Sequence, residues 1–242
     1  MSFKHRVKLL LSFIVVRIKG GPLKGKRWIW SSGGKFIRGT QEPYKTEALL
    51  KSYKPGSVFF DIGAHFGYYS AIAAMLNGDN GMVYAFEPRP MNARFFRKHM
   101  RINGFKNVTL FECATGRSDE EVGFNTRTGS ATGHVDKSGS LKVKQVSVSG
   151  MVKDGRLPPP DFIKIDVEGG EIEVLSDLRQ LIAEKRPRMV IATHNDECHD
   201  FVTGLLQELD YNFEVLNPNR TDGDTEIIAL PDGSLRSRVI GD

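Results

Sequence analysis

Short apolar runs and helical periodicity alternate along the chain between about residues 55 and 230. The apolar runs predict buried parallel strands, because such strands are covered on both faces. The segments between them repeat apolar residues every three or four positions, as amphipathic helices do. The predicted strands are SVFFDIG, MVYAFEP, NVTLFECATG, DFIKIDVEGG, RMVIATH, NFEVLN and TEIIALP. This order predicts an α/β fold with a doubly wound, mostly parallel sheet.

The pattern before this region predicts an N-terminal extension, residues 1–54, ahead of a domain at 55–242. Apolar residues from Phe3 to Ile18 recur at helical spacing with basic residues between them, which predicts an amphipathic helix. That helix either caps the core or lies on a membrane surface. Its apolar run is shorter than the roughly 20 residues that a spanning helix needs. KGKRWIWSSGGKFIRGT then predicts a β-hairpin with SSGG as the turn, and EPYKTEALLKSY predicts a helix.

Residues 118–153 predict a β insert in the domain. VGFN and LKVKQVSV have strand-like patterns, and the Gly- and Ser-rich segment between them predicts a loop. The apolar alternation changes phase between Val143 and Val146, which predicts a β-bulge. The insert either reaches over a site or forms an inert surface hairpin.

Composition restricts the class of protein. The chain has 242 residues, 40% hydrophobic and 26% charged, which excludes a disordered protein and a membrane bundle. Its net charge of +5 mildly favours acidic partners. The two cysteines, Cys113 and Cys198, are too far apart to indicate a zinc site or a disulfide framework. We therefore expect a cytoplasmic setting.

The stretch FFDIGAHFGYYS predicts a ligand-binding turn where the first parallel strand meets its helix. Gly63 lets the backbone turn without a side chain, and Gly67 permits close approach at the helix start. Asp61 can accept hydrogen bonds from an ammonium or a hydroxyl. His65 stands where a dinucleotide fingerprint has its middle glycine, which argues against a diphosphate ligand.

A second acid, Glu87, ends the run MVYAFEP and lies 20 residues after Gly67. An acid at about this offset binds the two hydroxyls of a ribose. The alternative is that Glu87 only caps the following helix. A ribose without a diphosphate, together with a charged amino-acid-like end, describes S-adenosylmethionine.

These segments resemble the FkbM family of S-adenosylmethionine-dependent methyltransferases, most specifically in KIDVEGGEIEVL and also in VYAFEPRPMN, NVTLFECATG and GTQEP. The resemblance runs from about Pro22 to Leu230 and implies the Rossmann-like class I methyltransferase fold. It departs from the family pattern at Gly150, Met151 and Gly170.

The family's site residues carry over to matching positions of this chain. Asp61, Gly63 and Gly67 would hold the methionine part of the cofactor, with His65 packed against it. Glu87 would bind the ribose. The resemblance also places Cys113 and Ala114 beside the adenine, and Thr40 and Glu42 over the cofactor. Asp166, at the end of the fourth strand, is predicted to contact the cofactor as well.

Acid–base chemistry is predicted at Asp166, Glu168 and His194, which fall at strand ends facing the expected crevice. Two neighbouring carboxylates tend to raise one pKa, which suits proton transfer. The same three residues could instead hold a divalent cation, although we predict no metal site. In the plainest alternative, Glu168 caps the next helix and Asp166 only contacts the cofactor.

The resemblance implies O-methylation of a hydroxyl on a sugar, glycan or other small metabolite. One alternative is a nucleic-acid methyltransferase, but no NPPY-like motif follows the fourth strand, where IDVEGG stands instead. Another is a non-catalytic cofactor-binding module attached to a membrane through residues 1–19. The acid pair Asp166 and Glu168 argues against it.

Overall fold

The computed structural model describes residues 10–125, 134–135, 139, 141–216 and 224–231. Its strands, numbered in chain order, are β1 (Val15–Arg17), β2 (Arg27–Ile29), β3 (Val58–Ile62), β4 (Met82–Phe86), β5 (Val108–Phe111), β6 (Ala114–Thr115), β7 (Glu120–Asn125), β8 (His134–Val135), β9 (Leu141–Val146), β10 (Phe162–Ile165), β11 (Arg188–His194), β12 (Asn212–Val215) and β13 (Asp224–Leu230). The α-helices are α1 (Gly34–Arg38), α2 (Pro43–Ser52), α3 (Tyr68–Asn77), α4 (Pro90–Asn103), α5 (Val148–Lys153), α6 (Glu171–Lys185) and α7 (Asp196–Glu208).

The central sheet has the strand order β12-β13-β11-β10-β3-β4-β5. The five strands from β11 to β5 are parallel, and β13 joins β11 in the antiparallel direction. The chain runs outward from β3 to β5 and then returns to β10 on the other side of β3. This confirms the predicted doubly wound, mostly parallel α/β sheet.

Both faces of the central sheet are buried, because successive residues of a strand point to opposite sides. On β3, Phe59 belongs to one hydrophobic cluster and Phe60 to the other, and both are fully buried. Helices α3 and α4 contribute to the first cluster, and α6 and α7 to the second. This double burial explains why the strands are nearly continuous apolar runs in the sequence.

Helix ends follow local sequence signals. Helix α4 has Pro90 in its first turn, and Gly104 caps its end with the left-handed conformation that glycine adopts readily. Helix α7 begins after Asn195, whose side-chain oxygen accepts the backbone N–H of Cys198 at 2.7 Å.

Leu10 is helical, but the predicted N-terminal helix is wrong from Val15 to Ile18, and the predicted hairpin is wrong as well. Val15–Arg17 forms β1, which pairs antiparallel with β2, whereas residues 1–9 lie outside the described ranges. SSGG leads into α1 and is not a hairpin turn. Trp28 and Ile29 on β2 are fully buried against the core of the domain. Their burial fixes the position of β2, and β1 pairs with it. No helix in the described ranges has the length and apolar character to span a bilayer.

The insert forms a small sheet with the order β6-β9-β7-β8. Its pairing runs without a break from Glu120 opposite Gln145 to Phe124 opposite Leu141, so the predicted bulge is wrong. The change of phase instead marks the end of β9 at Val146 and the start of α5. The polar loop predicted within the insert lies mostly outside the described residues.

Candidate active site

A cavity of about 920 Å³ opens at the carboxyl ends of the parallel strands. It lies where the chain reverses direction across the sheet, between β3 and β10, which is the usual ligand position in doubly wound folds. Helix α2 and the insert close other sides of the cavity. The sequence-predicted residues that line it are Glu42, Gly63, His65, Glu87, Cys113, Ala114, Asp166, Glu168 and His194.

Gly63 and Gly67 must be glycines because neighbouring atoms leave no room for a Cβ at either position. A Cβ on Gly63 would lie 1.8 Å from the carbonyl oxygen of Asp166, and a Cβ on Gly67 would lie 2.6 Å from the ring of Phe96. Both glycines have positive φ angles, 77° and 83°. The turn after β3 is therefore pressed against the end of β10, and the start of α3 against α4. Gly67 does not line the cavity.

Asp61 lies beneath the cavity and does not line it. The residue is fully buried, and its Oδ2 accepts a hydrogen bond from Ser70 Oγ at 2.6 Å. Its Oδ1 lies 3.2 Å from Nζ of Lys164, which also donates to the carbonyl of Gly63 at 2.7 Å. Asp61 can thus act on a ligand only through the loop and lysine that it holds. Thr40 also lies outside the cavity lining.

Glu87 borders the cavity at the end of β4 and is 4% exposed. Its carboxylate accepts the backbone N–H of His65 at 2.7 Å, the backbone N–H of Arg89 at 3.0 Å and the side-chain amide of Asn92 at 3.0 Å. Burial raises the pKa of Glu87, and these three bonds oppose the shift. The carboxylate is therefore held in one orientation, at the position that the sequence assigned to a ribose-binding acid.

Cys113 and Ala114 line the cavity between β5 and the insert. Burial raises the pKa of the Cys113 thiol to about 12, so it is a neutral apolar surface at physiological pH. Next to them, Thr115 also lines the cavity and is 8% exposed. Within the described ranges its hydroxyl has no hydrogen-bond partner. This edge of the cavity thus offers the hydroxyl of Thr115 and the amide of Gln145 beside the apolar surface of Cys113 and Ala114.

The three residues predicted for acid–base chemistry meet on one side of the cavity. His194 Nε2 lies 3.5 Å from Oδ1 of Asp166 and 3.7 Å from Oε2 of Glu168. On the other side of the ring, Nδ1 of His194 lies 2.8 Å from Oε1 of Glu171. All three predicted side chains are partly exposed to the cavity, between 17% and 24%.

Three carboxylates surround His194 and control its charge. Burial alone would lower the pKa of His194, but the hydrogen bond that its Nδ1–H donates to Glu171 and the charges of Asp166, Glu171 and Glu168 raise it to about 9. For Asp166, burial is outweighed by the charges of Lys45, Lys164 and His194, which lower its pKa. The isolated cluster therefore holds an imidazolium between carboxylates at neutral pH.

Two buried lysines complete the site and were missed in the sequence. Lys45 on α2 is 1% exposed and lies 2.9 Å from Oδ2 of Asp166 and 3.4 Å from Oε1 of Glu226. Lys164 on β10 is 2% exposed. A lysine inside an apolar strand, as in FIKI, is a signal that could have identified Lys164, because strands buried on both faces rarely contain one.

Two further acids were also missed. Glu171 looked like an ordinary first-turn acid of α6, but it is fully buried beneath His194. Glu226 comes from β13 and lines the cavity beside Lys45. Its position could not be read from the sequence, because it depends on β13 inserting next to β11.

Solved structures of other proteins share this fold. A crystal structure of the methyltransferase FkbM from Methylobacillus flagellatus aligns with a TM-score of 0.55 and 18% identity over 81% of this chain and 52% of that one. An S-adenosylmethionine-dependent O-methyltransferase from Thermotoga maritima aligns with a TM-score of 0.51 and 15% identity over 78% of this chain and 64% of that one. This chain spans about half the length of the Methylobacillus protein. The fold is that of a class I methyltransferase.

Sequence comparison gives the family. Residues 61–213 match the methyltransferase FkbM domain, so the chain belongs to the FkbM methyltransferase family, as the resemblance implied. Hexuronic acid methyltransferase AglP of Haloferax volcanii is 27% identical over 189 residues, which cover 77% of this chain and 75% of that protein. The protein is therefore an S-adenosylmethionine-dependent methyltransferase.

Proposed function

We propose that this enzyme transfers a methyl group from S-adenosylmethionine to a hydroxyl group of a sugar, in a free sugar or a glycan. The observation that carries the proposal is the cluster of Asp166, Glu168 and His194 on the wall of the strand-end cavity. Such a cluster suits a hydroxyl acceptor, which must lose a proton during methylation. The relative AglP, named for hexuronic acid, supports a sugar acceptor and makes uronic acids the first to test.

The residues of the cavity fit the cofactor. In this proposal the fixed carboxylate of Glu87 binds the ribose hydroxyls, and Cys113 and Ala114 cover the adenine. The unpartnered hydroxyl of Thr115 offers the adenine a hydrogen bond. The turn at Gly63, which brings backbone close to the ligand without a side chain, receives the methionine part.

Two other predicted residues, Asp61 and Glu42, act indirectly or as cover. Asp61 positions the turn through Lys164, which donates to the carbonyl of Gly63. Glu42, at the start of α2, lines the cavity and accepts a hydrogen bond from the hydroxyl of Tyr69 at 2.8 Å. It would lie over the bound cofactor.

The chain contributes orientation and proton removal. S-Adenosylmethionine supplies an electrophilic methyl group, and the acceptor hydroxyl must lie in line with it; such positioning supplies about 7–11 kcal/mol of the barrier. The carboxylate of Asp166 is held by Nζ of Lys45 at 2.9 Å, so it is suited to orienting the acceptor hydroxyl. Glu168 is the most exposed member of the cluster, at 24%, and is the proposed proton acceptor.

The proposal is tested with methyl-labelled S-adenosylmethionine and a panel of acceptors. The panel contains glucuronic and galacturonic acid, oligosaccharides ending in them, the matching neutral sugars, and RNA. With at least one uronic-acid acceptor, we expect the labelled methyl group to be attached as an ether to a sugar hydroxyl, and mass spectrometry locates that hydroxyl. Glu168→Gln should reduce this rate by about 100-fold or more. Label in RNA alone, or in no sugar, would overturn the proposal.

A further inference from the structure

We propose that Asp166, Glu168 and His194 bind one divalent cation of the Mn²⁺ type. One donor atom from each residue lies within 4.8 Å of the other two. The Nε2 atom of His194 is 3.5 Å from Asp166 Oδ1 and 3.7 Å from Glu168 Oε2. Adjacent ligands of an octahedral cation are about 3 Å apart when each lies about 2.1 Å from the metal, so side-chain shifts below about 1 Å would form the site.

The histidine is oriented as metal-binding histidines are. Its Nδ1 lies 2.8 Å from Oε1 of Glu171, which leaves Nε2 directed toward Asp166 and Glu168. Binding of the cation would displace the Nε2 proton of the imidazolium. A carboxylate on the far nitrogen fixes the ring and strengthens the near nitrogen as a ligand. Glu171 itself is fully buried, so it cannot replace this contact with water.

The charges of the site point independently to a cation. The carboxylate of Glu171 is buried, and among the residues that the structure describes its one ionic partner is His194. The nearest lysine, Lys45, lies on Oδ2 of Asp166, the oxygen that does not face His194. Lys164 lies closer to Asp61, at 3.2 Å, than to Asp166, at 3.8 Å. Negative charge thus exceeds positive charge around His194, and a divalent cation would offset it.

The ligand set selects the type of cation. Two carboxylates and one imidazole suit Mn²⁺ or a related first-row ion better than Mg²⁺, which favours oxygen ligands alone. All three side chains line the cavity, so three coordination positions of an octahedral ion are open to water or to an acceptor. This is the arrangement of a catalytic metal site and differs from a closed structural one.

The role of the cation rests on the proposed function. A sugar hydroxyl coordinated to the cation would have a lower pKa. Its proton would pass to the oxygen of Glu168 that does not bind the cation. The hydroxyl oxygen would then form a bond to the methyl carbon as the bond from that carbon to sulfur breaks, leaving a neutral thioether.

The test measures cation binding and methyl transfer separately on the full chain. Protein treated with EDTA and dialysed is titrated with Mn²⁺, and the electron paramagnetic resonance signal of free Mn²⁺ gives the bound fraction. Wild type is compared with Glu168→Gln and His194→Gln. The matched control is Glu197→Gln, which removes the same charge from an exposed position on α7 outside the cavity. Calorimetry with S-adenosylmethionine on each preparation verifies that the cavity is folded.

We expect one Mn²⁺ per wild-type and control chain, with affinity reduced about ten-fold or more in Glu168→Gln and His194→Gln. No saturable binding to wild type, or equal affinity in all four proteins, would overturn the cation site. Methyl transfer that is the same in EDTA and in Mn²⁺ would overturn its catalytic role and leave the proposed function standing. Saturable Mn²⁺ binding without methylation of any sugar would support the site and contradict the proposed function instead.

Discussion

Lys164 and Asp61 form a buried ion pair, with Nζ 3.2 Å from Oδ1 and side-chain exposures of 3% and 0%. The same ammonium group donates to the carbonyl of Gly63, so it ties the end of β3 to the turn that borders the cavity. Removal of the Lys164 charge would leave Asp61 buried without an ionic partner, and removal of the Asp61 charge would leave Lys164 only the more distant Asp166, at 3.8 Å. Each single change should therefore cost more than its share of the double change.

Lys164→Met should therefore lower the free energy of unfolding by about 3–5 kcal/mol, measured by urea denaturation. The double variant Lys164→Met/Asp61→Asn should lose clearly less than the sum of the two single losses. Additive losses would show that the two side chains do not stabilise each other.

The turn at Gly63 gives a second prediction. Gly63→Ala places a methyl group 1.8 Å from the carbonyl of Asp166, so the end of β10 must move. We expect S-adenosylmethionine affinity, measured by calorimetry, to fall about ten-fold or more. Gly104→Ala is the matched control, because Gly104 has a similar φ of 73° and no atom within 4 Å of the new Cβ. Gly104→Ala should lower the free energy of unfolding by about 1 kcal/mol and leave the affinity for S-adenosylmethionine unchanged.

Glu87→Gln tests the ribose contact. A neutral amide keeps the shape of the side chain but loses charge-assisted hydrogen bonds, each of which contributes about 1.5–3 kcal/mol. Calorimetry should show S-adenosylmethionine binding about 10- to 100-fold more weakly. Glu112→Gln, at an exposed position just after β5, should bind like wild type. Equal affinity of the two variants would remove Glu87 from the cofactor site.

His99 gives a prediction on pH and stability. The backbone N–H of Ile29 donates to its Nε2 at 3.1 Å, so Nε2 carries no proton and Nδ1 donates to the carbonyl of Phe66 at 2.8 Å. The ring also stacks on Trp28, with centroids 3.6 Å apart. Burial lowers the pKa of His99 to about 3; the bond to Phe66 opposes this and the charge of Lys98 adds to it.

Because the folded pKa lies below the unfolded value of about 6.5, the unfolded chain takes up a proton that the folded protein does not. Stability from this group is complete above about pH 6.5 and falls by about 1.4 kcal/mol per pH unit toward pH 3. Between about pH 7.5 and 5, wild type should lose about 2 kcal/mol more than His99→Gln in urea denaturation. Parallel pH profiles of the two proteins would contradict the assignment.

The order of the main strands and helices could be predicted because their patterns depend on burial alone. On β3, the continuous run of apolar residues follows from packing on both faces of the sheet. The structure of the N-terminal segment was predicted wrongly, because a three-residue strand such as β1 is too short to show the two-residue alternation of a strand. Its structure depends on pairing with β2, where Trp28 and Ile29 are held by the core.

The polar residues of the site were only partly predictable. Acids at strand ends, such as Glu87 and Asp166, were recognised because the carboxyl ends of parallel strands meet at one edge of the sheet. Asp61 looked the same in sequence, yet its side chain points into the interior toward Lys164 and Ser70. Lys45 could not be assigned, because its partners are Asp166, just after β10, and Glu226 on β13, both more than a hundred residues later in the chain.

The antiparallel insertion of β13 between β11 and β12 also affects how the site is assembled during synthesis. Thr225 and Glu226 on β13 form part of the cavity wall, and Glu226 lies 3.4 Å from Nζ of Lys45. A chain still being translated has the Gly63 turn and the Glu87 carboxylate long before it has this wall. The pocket is therefore completed only when β13 has left the ribosome, and cofactor capture in its final geometry is a late event in the maturation of the polypeptide.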